Sequence, residues 1–410
     1  MKRIALLLVL CFLCVNFVFS VDFGLLAEQK FEWEQDLAET KTFSWSPTFT
    51  PWFSWDSGEG ISVYLSGHFP LKYTKIIDDD IDDDKDNWGK PAFKFELTRS
   101  SFSYTARQFS FEAGRVIYSD IMGVTAAGLF DGIRLQVPLF IGDFSAGLFY
   151  TGLLYKESAK IMMTATDGSN YAEPWDEKFK YYFASRRILF AGRFDLPVME
   201  YNNFSLEAIV QFDCNGEEDD RLHSQYFQGL MEIFTQGKIG IAGGAFIETM
   251  QSKVGDDDDF TLAIGALGVI RIDLPTPIND GLKFTSKFCS GPWNDTFTTY
   301  TPVSTQSQGQ VFQEPFSDIW VNKLNYDVRI LPSLFMETAL SYFVKASTTP
   351  DDDGKKIMYG GEFWGSLAFQ PVNDIRATLG GGMFLPKLGN FFPDDTKPMW
   401  KISAGVYISF

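Results

Sequence analysis

The chain has 410 residues, a net charge of -18, and 41 Phe, 16 Tyr and 10 Trp beside 35 Gly. The acidic balance excludes nucleic acid as an expected partner, because its phosphate backbone is bound by clustered Lys and Arg. Beyond the N-terminus no apolar stretch reaches the length of a membrane-spanning helix.

The N-terminus has the pattern of a secretory signal peptide. A positively charged start precedes an apolar run from Ile4 to Phe19, and small residues before Val21 suit a cleavage site. We therefore predict a signal peptide over residues 1–20 and a single domain over residues 21–410. A signal anchor is the less favoured alternative, because no stop-transfer pattern follows the apolar run.

Removal of the signal peptide would leave Cys214 and Cys289 as the remaining cysteines. They lie far apart in sequence and form no CxxC or Cys/His pattern, so we predict neither a disulfide scaffold nor a zinc site. Lipidation is not expected, because Cys11 and Cys14 lie inside the apolar run. Whether the two remaining cysteines pair is left open.

Apolar and polar residues alternate along much of the chain, which predicts β-strands. From Asn203 to Asp213 one face carries Phe, Leu, Ala, Val and Phe, and the other is mostly Ser, Glu, Gln and Asp. From Met399 to the end, one face is apolar and the other small or polar. The first two strands, Ala27 to Asp36 and Phe43 to Trp55, are the least regular, because prolines interrupt the second.

Short and long connections between these strands alternate. The short connections are 56–60, 108, 141–142, 197–203, 236–237, 276–280, 331–333 and 371–374, and the long ones are 78–89, 118–128, 156–178, 215–221, 252–259, 291–317, 348–356 and 387–398. Bacterial barrels have short periplasmic turns and long outer loops, whereas a soluble sandwich has no reason to sort its connections. The predicted fold is all-β: a transmembrane antiparallel up-and-down β-barrel of about 18 strands, with 16 as the fallback.

The polar faces of such strands would point into the lumen. Candidate pore-lining residues are Lys94, Glu96, Arg134, Gln136, Arg187, Arg193, Glu207, Asp213, Glu232, Arg271, Lys323 and Arg329. Basic sectors alternate with an acidic sector, which would create a transverse field across a water-filled pore. Alternatively, these charges pair with one another and fill the interior. A wide barrel encloses more space than side chains can fill, which favours the pore.

No catalytic or metal-binding pattern stands out in the chain. His68 and His223 are the only histidines, and no GxSxG, HExxH or Walker motif accompanies them, so no enzyme and no cofactor are predicted. The acidic run that contains Asp82, Asp84 and Asp86 lacks the spacing of an EF-hand loop. We predict solvated outer loops there, with only weak attraction for divalent ions.

Three stretches resemble known outer-membrane proteins. The strand that ends on Phe410 resembles the closing strand of bacterial outer-membrane β-barrels, whose last aromatic residue is an assembly signal read by the barrel assembly machinery. The stretch from Phe111 to Gln136, in which Gly-Arg is followed by Phe-Asp-Gly-Ile-Arg, resembles the wall of substrate-specific porins such as the alginate-export and basic-amino-acid families. The segment from Pro51 to Ser54 is similar to spirochaete outer-membrane barrels.

The porin resemblance implies passive diffusion of small hydrophilic solutes across an outer membrane. One long loop, 156–178 or 118–128, would fold inward and narrow the path. The resemblance also implies that Arg115, Arg134 and Arg193 line that path. Arg115 falls on the apolar parity of its strand, so a bulge would be needed to turn it inward.

Outer-membrane lipids are the expected surroundings, and a homotrimer, the solute and the ion selectivity are left open. A structural or adhesive barrel that acts through its acidic loops is one alternative function. A transporter of hydrophobic compounds is another, which is disfavoured because the segment before the first strand is too short to form a plug.

Overall fold

The structure is a computed structural model. It describes residues 20–77, 92–93, 95–162, 167, 183–199, 201–214, 220–235, 238–254, 257–293, 297–347 and 356–410. Lys94, the acidic residues Asp82, Asp84 and Asp86, and residues 1–19 of the predicted signal peptide lie outside this part of the chain.

One antiparallel sheet of 18 strands makes up the protein. The strands are β1 (Ser20–Gln35), β2 (Lys41–Asp56), β3 (Ile61–Ile77), β4 (Ala92–Phe93 and Glu96–Thr105), β5 (Ser110–Ser119), β6 (Ala127–Leu139), β7 (Gly142–Tyr150), β8 (Arg187–Met199), β9 (Asn202–Asp213), β10 (Asp220–Thr235), β11 (Ile239–Val254), β12 (Asp257–Asp273), β13 (Asp280–Cys289), β14 (Ile319–Leu331), β15 (Leu334–Lys345), β16 (Met358–Val372), β17 (Ile375–Leu385) and β18 (Met399–Ser409). The two segments of β4 are numbered together because both pair with β3.

The sheet closes on itself through its first and last strands. β1 pairs with β2 on one side and with β18 on the other, where Leu26 is the register partner of Ser409. Beyond β18, Phe410 donates its backbone N–H to the carbonyl of Leu25 at 2.9 Å and accepts the Leu25 N–H at 3.1 Å. The predicted closed barrel of 18 strands is therefore confirmed, and closure removes the free edges that an open sheet would expose.

The two faces of the sheet differ as the sequence alternation predicts. On β9, Leu206 and Phe212 are exposed on the outer face, whereas Glu207, Ile209 and Gln211 are buried on the inner face. The same pattern of exposed Phe, Leu and Ile recurs around the outer wall. Such an apolar exterior is the surface that a barrel presents to lipid.

Connections sort to the two ends of the barrel, as predicted. Short connections such as 140–141, 332–333 and 373–374 lie at one end, here called the turn rim. The opposite end, called the loop rim, carries the long connections, among them 290–318. Ser20, where the described chain begins, and Phe410 both lie at the turn rim, because β1 starts there and β18 finishes there.

Two boundaries differ from the prediction. The stretch 252–259 is not a long loop, because β11 and β12 stay paired through Ser252 and Asp259 as far as Val254 and Asp257. Charged residues at a solvated rim can extend a ladder because their side chains remain in water. The first strand also starts at Ser20 instead of Ala27, and its backbone pairs with β2 over the full length despite the prolines.

An apolar core lies inside the barrel, not between two sheets. It is built where long loops fold inward against the wall: residues 120–126 between β5 and β6, and residues 297–318 between β13 and β14. Tyr300, Val303 and Phe316 of the second segment are fully buried and pack against wall residues such as Phe246. The described part of the β7–β8 connection contributes a short helix, α1 (Lys156–Ala159), and buried Ile161.

Among the described residues, no helix is long and apolar enough to cross a membrane.

Candidate functional site

Three glutamates on the inner wall hold the inward-folded segments by their backbone. Glu362 on β16 accepts hydrogen bonds from the N–H groups of residues 310, 311 and 312 at 2.8–2.9 Å. Glu248 on β11 accepts the N–H of Thr301 at 2.9 Å. Glu207 on β9 accepts the N–H of Ile121 at 2.7 Å. Buried carboxylates thus satisfy buried loop N–H groups, which would otherwise lose their bonds to water without compensation.

The 120–126 segment has a further carboxylate at its start. Asp120 accepts N–H groups from Met122, Val124, Thr125 and Ala126 at 2.8–3.3 Å, which closes the segment into a compact turn. Burial raises the pKa of Asp120, and these four N–H groups oppose the rise because they favour the ionised form. The segment is therefore held in its turn by local hydrogen bonds in addition to its contact with the wall.

A buried ion cluster ties the β7–β8 connection to the wall. Arg187 on β8, which is 1% exposed, donates to Asp213 on β9 and to Asp167 of the connection, each at 2.5 Å. One guanidinium bridges two carboxylates, and each ion depends on the others because it has little access to water. The attachments made by Glu207, Glu248 and Glu362 join wall and loop segments that are distant in sequence, whereas the Arg187 cluster joins elements that are closer in the chain.

A cavity of about 560 Å³ lies between the 306–310 stretch and the inner wall of β12–β15. Its wall carries three lysines, Lys283, Lys287 and Lys323, and none of them forms an ion pair with any residue that the structure describes. The remaining lining residues are Arg271, Thr285, Gln306, Ser307, Gln308, Gln310, Val321, Asn325, Asp327 and Glu337. Unpaired cations beside amide groups form a surface suited to an anionic, hydrogen-bonding solute.

A second cavity of about 460 Å³ lies against the inner wall of β5–β8 near the turn rim. Both arginines in its lining are paired: Arg134 with Glu112 at 3.0 Å, and Arg193 with Asp195 at 2.7 Å, and Asp143 adds a further carboxylate. Gln136 accepts a hydrogen bond from Ser110 at 3.1 Å. This side of the lumen is polar but close to electrically balanced, unlike the lysine-lined side.

A third, smaller cavity of about 240 Å³ lies on the other side of the 311–314 stretch, towards the loop rim. The ends of β1 and β18 complete its lining, including Glu34 and Lys401, which pair at 3.2 Å. Burial raises the pKa of Glu314 at its edge. Residues 306–314 therefore separate a compartment near the loop rim from the lysine-lined compartment below.

The predicted lumenal residues occupy different environments. Arg134, Gln136 and Arg193 line the second cavity, and Arg271 and Lys323 line the first. Arg187, Glu207 and Asp213 are buried where loops meet the wall, as is Glu96, which accepts a hydrogen bond from Ser158 of α1. Arg329 donates to the Pro332 carbonyl at 2.7 Å near the turn rim. Glu232 is half-buried on the inner parity of β10, and Lys94 lies outside the described residues.

Arg115 does not join the lumenal set that the resemblance implies. It shares the parity of exposed Ile117 and pairs with Asp131 at 2.7 Å, and its guanidinium also donates to the carbonyls of Leu97 and Leu153. The pairing of β5 with its neighbours is continuous, so no bulge turns the side chain inward. The positive φ of Gly114 (115°) leaves this register intact.

The two histidines have ordinary partners. His68 Nδ1 lies 3.0 Å from the hydroxyl of Thr50, and His223 Nδ1 accepts the backbone N–H of Asp213 at 3.1 Å. Neither contact joins a nucleophile to a base in the manner of a catalytic triad.

No family model matches the chain, and no curated protein matches it by sequence. The chain does match solved structures over most of its length. OccK5 (OpdH) of Pseudomonas aeruginosa superposes with a TM-score of 0.59 at 10% identity, covering 95% of this chain and 98% of that one. The outer membrane protein OpdK of the same organism gives 0.58 at 11% identity, with coverage of 95% and 99%.

The fold is that of the OprD/Occ outer-membrane porins. A third neighbour, P. aeruginosa OccK2 (OpdF) in complex with glucuronate, has a TM-score of 0.58 at 13% identity, with coverage of 95% and 98%. The porin-type resemblance is thereby confirmed at the level of fold, and nothing supports the spirochaete resemblance. At these identities no OprD/Occ residue role is carried over to this chain.

Sequence reasoning missed Glu362 and the inward position of the 297–318 segment. Glu362 lies on the polar face of its strand, so the sequence alone could not distinguish it from a charged residue that lines the lumen. The segment did carry a signal: between Ser290 and Asp318 only Asp295 and Glu314 are charged. A long outer loop with so few charges and several aromatic residues is better suited to a buried site than to solvent.

Proposed function

We propose that the protein is an outer-membrane channel for the passive diffusion of small hydrophilic solutes, with a preference for anions. The observation that carries the proposal is the set of three lysines, Lys283, Lys287 and Lys323, around the 560 Å³ cavity, none of which forms an ion pair with a described residue. A charge that the protein leaves unpaired beside water attracts mobile counter-ions, and low-dielectric walls focus its field. The solute would pass the 306–314 stretch and meet the lysines next.

Transport, rather than catalysis, is the activity that this arrangement supports. The OprD/Occ neighbours are porins and not enzymes, and one of them was solved with glucuronate, a small carboxylate. The same proposal includes cleavage of residues 1–20, insertion of residues 21–410 as the barrel, and reading of Phe410 by the assembly machinery. The Phe410 side chain is 73% exposed at the turn rim, where a partner could contact it.

Refolded protein in a planar bilayer tests the channel directly. We expect stepwise conductance and a reversal potential in a KCl gradient that shows anion selectivity. Replacing all three lysines by glutamine should lower the anion-to-cation permeability ratio by about tenfold. The substitutions remove three positive charges from the lumen, whereas the negative charges of Asp327 and Glu337 remain.

Lys397→Gln is the matched control, because Lys397 is paired with Glu39 at 2.5 Å and lies outside the cavity. Its selectivity should equal that of the wild type. Absence of stepwise conductance from well-folded wild-type protein would refute the channel, and an unchanged ratio in the triple variant would refute the role of the lysines.

A further inference from the structure

Trp364 on β16 lies on the inner wall with an environment unlike that of the other interior aromatic residues. Its neighbour Phe363 is exposed on the outer face, and Glu362, two residues away on the inner parity, holds the 310–312 stretch. Trp364 itself is half-buried. It therefore lies on the inner face one inward-facing position nearer the turn rim than Glu362.

One face of the Trp364 indole rests on the backbone of β17. A methyl group built on Gly380 would lie 2.6 Å from Cζ2 of the indole, and one built on Gly382 would lie 2.8 Å from Cε3. Any side chain at these two glycines would push the ring off the wall. The glycines thus allow the indole to lie flat, with its opposite face turned away from the sheet.

The indole N–H has no protein acceptor in the described part of the chain, and the half-buried ring packs only partly against the apolar core. Trp364 has no ring stacking, no cation–π contact and no hydrogen bond to a described residue. By contrast, Trp45, Trp293, Trp320 and Trp400 all donate their indole N–H to a protein acceptor. Trp364 therefore presents an aromatic ring on the inner wall, and its indole N–H can donate a hydrogen bond to a solute.

One hydroxyl group lies beside this surface, and further polar residues lie along the row of strands that leads from it. The Ser403 hydroxyl lies 3.1 Å from the methyl position built on Gly380, beside the edge of the indole. Along one register row, Trp364 is followed by Ala339, Asn325 and then Lys283. At about 4.8 Å per strand, Asn325 and Lys283 are roughly 10 and 14 Å away, and the long lysine side chain can shorten the second distance.

We propose that Trp364 is a stacking subsite for a sugar in ring form, whose anionic group is held on the lysine side of the lumen. The C–H face of a pyranose is apolar and flat enough to cover an indole, while its hydroxyl groups can reach Ser403 and the free indole N–H. This inference rests on the proposed channel function and adds the shape of the solute to its charge.

Two monoanions of similar size separate ring stacking from charge: D-glucuronate, which is cyclic, and D-gluconate, which is open-chain. Each is added to single wild-type channels, and the concentration that blocks half of the chloride current is measured. Trp364→Ala should raise this concentration about tenfold for glucuronate, the size expected from losing one aromatic stacking contact. It should leave the gluconate value unchanged, and Trp364→Phe should give an intermediate loss for glucuronate.

Trp320→Ala is the control, because Trp320 lies on the outer face and is 44% exposed there. Retention of heat-modifiable mobility on gels shows that each variant is folded. Equal changes for both anions, or no change for either, would overturn the subsite while leaving the channel intact. Absence of channels in the wild type would instead overturn the proposed function itself.

Discussion

Glu362→Gln will release the 306–314 stretch from the wall and give a larger, noisier single-channel conductance. The carboxylate is 4% exposed and accepts three backbone N–H groups at 2.8–2.9 Å. A glutamine would keep the shape but present an NH₂ group to at least one of those donors. Hydrogen bonds to a charged acceptor contribute about 1.5–3 kcal/mol each, so we expect a loss of about 3 kcal/mol from the attached state.

A loss of that size shifts the equilibrium between attached and released segment by about a hundredfold. Stacking of Phe312 on Phe384, with ring centroids 4.2 Å apart, opposes release and is unaffected by the substitution. The 306–314 stretch separates two compartments, so its release widens the path and increases the current.

Glu337→Gln supplies the matched control for this prediction. Glu337 also faces the lumen, but it is exposed and its described contact is a hydrogen bond from Asn325 at 2.8 Å. Its current noise and protease cleavage pattern should match those of the wild type, because its carboxylate holds no loop backbone. A Glu362→Gln channel with wild-type conductance, noise and protease cleavage pattern would show that the segment is held by apolar packing alone.

Arg187→Met will destabilise the folded barrel by about 3–5 kcal/mol, the usual cost of removing one member of a buried ion cluster. The substitution leaves Asp167 and Asp213 buried without their shared cation, and both side chains are fully buried. We expect the β7–β8 connection to detach first, because Asp167 is its anchor on the wall. Urea unfolding in detergent or bilayers, followed by gel mobility, measures the free-energy change.

Two further variants distinguish the effect of losing the buried ion cluster from a nonspecific loss of stability. Arg193→Met removes an arginine from the same strand, but Arg193 is about one-third exposed in its pair with Asp195, so the expected loss is only about 0–1 kcal/mol. Replacing Arg187, Asp167 and Asp213 together by Met, Leu and Leu should restore most of the stability, since apolar packing can substitute for a buried ion cluster. If the triple variant were as unstable as the single one, buried charge would not be the cause.

The sequence predicted the wall of the barrel because the relevant signals are local. Alternation along β9 and β18 indicates which side chains face out, and the long connections indicate which end of the barrel is the loop rim. The first two strands, β1 and β2, were also predicted, but with shortened bounds, because their prolines and charged residues obscure the alternation. The resemblance of the terminal strand pointed to the same fold.

The candidate site was only partly predictable. Parity placed Arg187, Arg193 and Lys323 on the inner face alike, yet Arg187 is buried by two carboxylates, Arg193 is paired, and Lys323 has no ion pair among the described residues. Position on a strand fixes a direction, but it does not determine what folds against that side chain.

By itself, therefore, the sequence determined a closed, outward-apolar sheet of about 18 strands with sorted connections. Only the tertiary structure decided how its interior is divided, because the division depends on wall carboxylates such as Glu207, Glu248 and Glu362 meeting backbone N–H groups of distant loops. Every residue except proline has such an N–H group, so these partners leave almost no mark in the sequence. They become specific only when closure of the barrel brings the loop and the wall together.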